Sequence, residues 1–393
     1  MPQLIYLDNA ATTKPYGKVV AAVSEAMEQT WGNPSSRHAL GRDARMLVEE
    51  SRSIVAASLR VDQSEIYFTS GGTESNNLAL HGAAWAIAAG ASQPLYLLTT
   101  TLEHASVTKP VRNLKRQGWR IDYLEAEGGQ LAEQQLTAAM AAQPALVSAM
   151  LVQNELGYRM DLESVVARRN ELAPEALVHT DAVQAYGKLE FFPRQLGVDL
   201  ASISAHKIGG PKGVGALYVR SGVKMYTTAH GGGQERWLRS GTEAVPLIAG
   251  FAAAVRITFA QRIKAEQRAR QLWEQLVGGL KERFADVLIN SRDDGSPYLV
   301  NFTLPNTNNR QVLDALSNRG IFISTASACE NNAENVAAGT WRPKRQQVLQ
   351  SAGVPLKYSF STYRVSFSTQ TRPDEITALL DALEAIIANK DCR

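Results

Sequence analysis

The sequence predicts an α/β chain of two units. A large domain over residues 15–250 carries a mostly parallel seven-stranded sheet, and residues 1–14 with 251–393 form a smaller α+β domain. Three observations predict this. The length of 393 residues exceeds one ordinary core and suits two. Short apolar runs alternate with helix-length segments through the first two thirds, as in βαβ units. One long helical stretch over 245–285, rich in Ala, Arg, Gln and Glu, then ends that rhythm.

In chain order the expected strands of the large sheet are 65–69, 95–100, 119–124, 146–152, 177–180, 200–205 and 215–219. Helical patterns fall between most of them, for example at 75–89 and 162–172. Beyond the long helix, strands at 287–290, 298–304, 321–324 and 363–368 mix with helices near 309–318 and 373–388. Those helices are expected to cover one side of the smaller sheet. Residues 330–343, rich in Asn, Ala and Gly, are the one segment with loop composition, and loops of that length are usually functional or disordered. No internal repeat or low-complexity tract interrupts the pattern.

Composition excludes some classes of function. A net charge of +3, from 41 basic and 38 acidic residues, gives no case for nucleic-acid or membrane-surface binding. Cys329 and Cys392 make no disulfide framework, so a reducing, cytoplasmic setting is expected. Met1–Asp8 lacks the pattern of a secretory signal, and no uncharged stretch reaches membrane-spanning length.

The chemistry-bearing residues lie at strand ends. In Ser202-Ile-Ser-Ala-His-Lys207 an apolar strand runs into a glycine-rich turn, which holds Lys207 near the interior yet within reach of a ligand. Most lysines are solvated surface charges, but a desolvated one has a lowered pKa, and only a free amine forms an imine. Such a lysine points to pyridoxal phosphate, whose other requirements can be sought. Its phosphate suits Gly71-Gly72-Thr73, a glycine turn opening a helix, with Ser204 and His206 as further donors. The competing reading is a plain helix-capping turn. Its ring nitrogen needs a carboxylate to stay protonated, and Asp181 ends a strand where open sheets bind ligands. The competing role for Asp181 is a helix N-cap. Gln184 stands one turn on, placed to donate to the ring's phenolate oxygen. His104, just past another strand, suits stacking on the ring and proton transfer. Arg364, in a half-buried strand, suits a substrate carboxylate, and Asn154 adds an amide donor to ring or substrate.

Taken together the chain resembles cysteine desulfurases of the NifS and IscS type, within the class V aminotransferases of fold type I. The matching stretches span nearly the whole sequence in the family's order. They are Tyr6-Leu-Asp-Asn-Ala-Ala-Thr-Thr13, Gly32-Asn-Pro-Ser-Ser36 with His38, Thr69-Ser-Gly-Gly-Thr-Glu-Ser-Asn-Asn77, Glu103-His104, Asn154-Glu155, His179-Thr-Asp-Ala-Val-Gln184, Ser204-Ala-His-Lys207, Gly231-Gly-Gly-Gln-Glu235, Arg239-Ser-Gly-Thr242 and Ser327-Ala-Cys329. The resemblance implies a fold-type-I transferase in which Lys207 holds pyridoxal 5'-phosphate. It implies that Asp181 pairs the ring nitrogen, Gln184 the phenolate oxygen, and that His104 stacks. It implies Gly72, Thr73, Ser204 and His206 around the phosphate, with Thr242 reaching the phosphate of a second subunit in a homodimer. Asn154 and Arg364 would hold L-cysteine. Cys329 would take its sulfur as a persulfide, leave alanine, and pass the sulfur to a protein acceptor. Small neutral residues commonly follow that cysteine in the family, whereas here Glu330-Asn-Asn-Ala-Glu-Asn335 brings two acids, with Arg342, Lys344 and Arg345 as compensating candidates. A selenocysteine lyase or other β-lyase is the alternative enzyme. A partner-binding scaffold in sulfur trafficking is the reading from another class.

Overall fold

The computed structural model describes residues 4–90, 95–325 and 344–388. At its centre is a seven-stranded sheet with the spatial order Ile66–Thr69, Gly215–Val219, Leu200–Ser204, Leu177–Asp181, Leu146–Ser148, Tyr96–Thr100, Arg120–Leu124. All seven expected strands are there. Pairing is parallel except where Gly215–Val219 meets its two neighbours.

Successive residues of a strand face opposite sides of a sheet, and the cores follow that rule. Leu97 packs in one cluster with residues of the Gly72–Gly90 and Ala105–Arg116 helices. Its neighbour Leu98 packs in another with residues of Glu133–Ala141 and Leu162–Leu172. The last of these helices has the expected bounds, because Asp161 Oδ1 caps it by accepting from Ser164 N at 3.0 Å. The 146–152 strand is shorter than expected. Past Ser148 the backbone N–H of Met150 donates to the Glu103 carboxylate at 2.7 Å instead of to the Tyr96–Thr100 strand, while Ala149 N and Leu151 N still donate to His179 O and Asp181 O.

The long helix is Val245–Arg283, with proline in its first turn. Its first part, through Ile248, Phe251 and Val255, joins the core that includes Ile203 and Tyr218. Its second part, through Leu272, Leu276 and Leu280, joins another core with Val300, Phe302, Val312 and Leu383. The residue 250/251 division therefore falls inside a continuous helix. The smaller sheet orders Leu288–Ile289, Leu299–Thr303 and Thr362–Ser366, all antiparallel. A short parallel pair, Ile5–Tyr6 with Ile321–Phe322, was not foreseen on its N-terminal side. Cys329, Cys392 and the 330–343 segment lie outside the described residues. No described helix is long and apolar enough to cross a membrane.

Candidate active site

Parallel strands deliver their C-terminal ends to one edge of the sheet, where open α/β sheets bind ligands. A cavity of about 190 Å³ lies there. It is lined by Gly72, Thr73, His104, Asn154, Asp181, Gln184, Ser204, His206, Lys207 and Arg364, which are the expected residues apart from Thr242 and Cys329. Thr242 is exposed and outside this lining, and Cys329 is outside the described residues. A larger groove of about 760 Å³, lined by Arg159, Glu163 and Asp294 among others, shares none of these groups. The described residues hold no cluster of three His, Cys, Asp or Glu suited to a metal.

The anion side is built from a turn and two strand ends. Gly71 sits at φ +144°, a conformation that L side chains rarely adopt. A Cβ on Gly72 would meet Val183 Cγ2 at 2.7 Å, so glycine is needed for the close approach. The helix that starts at Gly72 has N–H groups in its first turn without intrahelical acceptors. Ser204 Oγ is buried with no hydrogen-bond partner among the described residues, which leaves it to donate to a ligand. His206 Nδ1 lies 3.1 Å from Thr12 Oγ1. Burial, then the charges of Lys207, Lys212 and Lys188, pull the His206 pKa down to about 4, so its ring is neutral at pH 7.

Asp181 is buried at the end of its strand. Its Oδ2 accepts from Asn76 Nδ2 at 2.7 Å and its Oδ1 from Val183 N at 3.0 Å, so it caps the following turn as well as facing the cavity. Asn76 Nδ2 also donates to Ser106 Oγ at 2.8 Å. His104 is the N-cap of Ala105–Arg116. Its Nδ1 accepts from Ser106 N at 3.2 Å, which places the neutral ring's proton on Nε2. Lys207 Nζ donates to the carbonyls of Ala10 at 2.6 Å and Ala11 at 2.7 Å. Gln184 Nε2 donates to the same Ala10 carbonyl at 2.9 Å.

The cation expected for a carboxylate is 2% exposed. Arg364 Nη1 donates to Asn154 O at 2.9 Å and Nη2 to Asp8 Oδ1 at 2.8 Å, while Nε has no partner among the described residues. Its backbone exchanges hydrogen bonds with Ser324, one residue before the described segment ends at Thr325. The N-terminal segment joins the two sides of the site. Ala10 N donates to Ser366 Oγ at 2.8 Å, and Thr13 Oγ1 donates to His206 O at 2.7 Å.

These donors suit a group with an anionic phosphate, a ring nitrogen that must stay protonated, and a carbonyl that can react with an amine. Asp8, Ala10, Ala11, Asn76, Ser106 and Lys188 contribute to the site and were not singled out from sequence. The only signal for Asp8, Ala10 and Asn76 was their place inside the matching motifs. Lys188 lies just beyond Gln184 and carried none.

A model of the family described as aminotransferase class-V matches residues 5–379. A cysteine desulfurase IscS of Dictyoglomus turgidum is 34% identical over 98% of this chain and 95% of its own. The solved structure of a NifS-like protein superposes with a TM-score of 0.89 at 33% identity, covering 98% of this chain and 100% of its own. SspA in complex with cysteine superposes with a TM-score of 0.79 at 29% identity, covering 94% and 100%. The chain belongs to the class-V aminotransferase family, among relatives that carry the name cysteine desulfurase.

Proposed function

We propose that the protein is a pyridoxal-phosphate-dependent cysteine desulfurase that converts L-cysteine to L-alanine and carries the sulfur on Cys329. One observation carries the reading: a single cavity gathers Lys207, Asp181, a Ser204 hydroxyl with no partner among the described residues, and the buried Arg364. Pyridoxal phosphate, when bound, supplies an electron sink that labilises bonds next to an amino acid's Cα.

The chain's own residues do the rest. Lys207 holds the cofactor and then moves protons. Ser204, His206, Thr73 and the first turn of the Gly72–Gly90 helix bind phosphate. Asp181, anchored by Asn76, keeps a proton on the ring nitrogen. Gln184 donates to the phenolate oxygen, and His104 stacks. Arg364 and Asn154 orient the cysteine carboxylate. The Cys329 thiolate attacks the substrate sulfur, forming an S–S bond as the Cβ–S bond breaks. The carbon skeleton keeps that electron pair, gains a proton at Cβ and leaves as alanine. Cys329 is five residues from Ser324, which pairs with Arg364, so chain connectivity allows it to serve this cavity. A reducing cytoplasmic setting keeps such a thiol active.

A homodimer completes the reading. The exposed Thr242 contributes to the phosphate site of a second copy, and the chain divides into a large domain over 15–250 and a small one from 1–14 and 251–393. The protein acceptor takes sulfur from Cys329. Cys329→Ser should retain the cofactor's visible band while losing protein-bound persulfide and alanine formation from cysteine. If Cys329→Ser still forms persulfide and passes it to an acceptor, the assignment is wrong. Faster alanine release from selenocysteine than from cysteine would favour the lyase instead.

A further inference from the structure

Lys188 has no place in the chemistry above, yet it is only 7% exposed and sits against the site. It follows Gln184 by four residues, in the turn after the Leu177–Asp181 strand. Its Nζ donates to Gln184 Oε1 at 2.8 Å. Gln184 Nε2 then donates to Ala10 O, the carbonyl that also accepts from Lys207. A carboxamide has one accepting end and one donating end, and an ammonium can only donate. Lys188 therefore holds the oxygen of Gln184 toward itself and leaves the NH₂ end for Ala10 and the cavity.

We propose that Lys188 is a positioning residue that keeps Gln184 a hydrogen-bond donor to the cofactor's phenolate oxygen, and so sets the pH at which the cofactor held on Lys207 titrates. The proposal rests on the pyridoxal phosphate reading. The groups that face Lys188 are Lys207 and Arg364 on the cavity side, His206 beyond Lys207, and the Tyr298 ring, whose centroid is 6.0 Å from Nζ. Burial and then the like charges of Lys207 and Arg364 pull the Lys188 pKa down to about 7. A bound anionic cofactor opposes that shift and favours the ammonium. A donated hydrogen bond from Gln184 stabilises the deprotonated phenolate, so letting the carboxamide turn its oxygen toward the ring raises the phenolate's affinity for a proton.

The test is a pH titration of the visible band of the holoenzyme. Lys188→Met should move the titration upward by about one pH unit. Lys188→Arg, which keeps a donor-only group, should stay within roughly 0.3 unit of the unmodified protein. In a Gln184→Leu background the added Lys188→Met should change the midpoint by less than roughly 0.3 unit, because the pathway runs through Gln184. Thermal melting of the cofactor-free Lys188→Met protein should be unchanged or raised, since an apolar chain replaces a desolvated amine. An unshifted Lys188→Met titration, or a full shift without Gln184, overturns the role of Lys188 alone. An unmodified protein that forms no titrating band with pyridoxal phosphate overturns the cofactor reading, and this proposal with it.

Discussion

At the scale of the residue, Arg364 is the group whose surroundings most constrain its use. Two of its nitrogens are satisfied by Asp8 and Asn154, while Nε is buried without a partner among the described residues. A buried donor left unmade is costly, and a substrate carboxylate would satisfy it with a charge-assisted bond. Arg364→Lys keeps the charge but loses the planar fork. It should lower kcat/KM for cysteine by about 100-fold, mostly through KM, with the cofactor band intact. Steady-state kinetics beside absorption spectra check this, and an unchanged KM would place the carboxylate elsewhere. Arg364 itself was legible in the sequence, as an arginine in a strand read as half-buried, although the structure buries that strand fully. Its ion-pair partner was not, because Asp8 stands 356 positions away and nothing local to either residue marks the pair. The same holds for Ala10, which serves the site through a backbone carbonyl that carries no side-chain signal.

At the scale of the element, hydrophobic rhythm revealed most of the fold. All seven strands of the large sheet and the Leu162–Leu172 and Pro373–Ala388 helices could be read from apolar spacing. What could not be read depended on tertiary contacts. The Glu103 carboxylate takes the Met150 N–H from the neighbouring strand and so shortens the Leu146–Ser148 ladder on that side, and the two-residue Ile5–Tyr6 strand is too short to show a period. The segment before Thr242 is the strongest case. Glu235, Arg236 and Trp237 all take left-handed backbone conformations, at φ 44°, 55° and 69°. Such values are unusual for bulky residues, and Trp237 is 74% exposed, so its own packing does not impose them. The hold comes from Glu235. Its carboxylate accepts from Arg52 Nη1 at 2.7 Å and Nη2 at 2.8 Å, and from Phe68 N at 2.7 Å, all buried. Glu235→Gln leaves the Arg52 charge buried without its main counter-ion and should cost about 3 kcal/mol. Urea unfolding of the cofactor-free chain measures that loss. A cost below about 1 kcal/mol would mean that Glu49, which also pairs with Arg52, suffices.

At the scale of the whole molecule, two neutral histidines tie the stability of the sheet to pH. His179 is fully buried within the central sheet, its Nδ1 2.9 Å from Ser148 Oγ and its Nε2 3.1 Å from Ser202 Oγ. Its hydrogen bonds thus link three neighbouring strands through one side chain. Burial pulls its pKa down to about 4, and burial with nearby lysines brings His206 to the same value. In the unfolded chain both titrate near the ordinary value of 6.5. Below that pH the unfolded state binds protons that the folded state refuses. The stability contributed by both rings is therefore complete above about 6.5 and is lost as pH falls toward about 4. Near pH 5 the cofactor-free chain should lose up to about 2.7 kcal/mol per pH unit, the slope for two protons. Urea midpoints across that range give the slope directly, and His179→Asn should reduce it to about one proton. Cofactor loading separates the two rings. A phosphate beside His206 favours its protonated form, whereas His179 lies within the sheet, outside the cavity lining. The loaded protein should therefore show the smaller slope without any mutation. A slope that stays at two protons after loading would remove His206 from the phosphate site, and a flat profile in the cofactor-free chain would mean that both rings ionise without unfolding it.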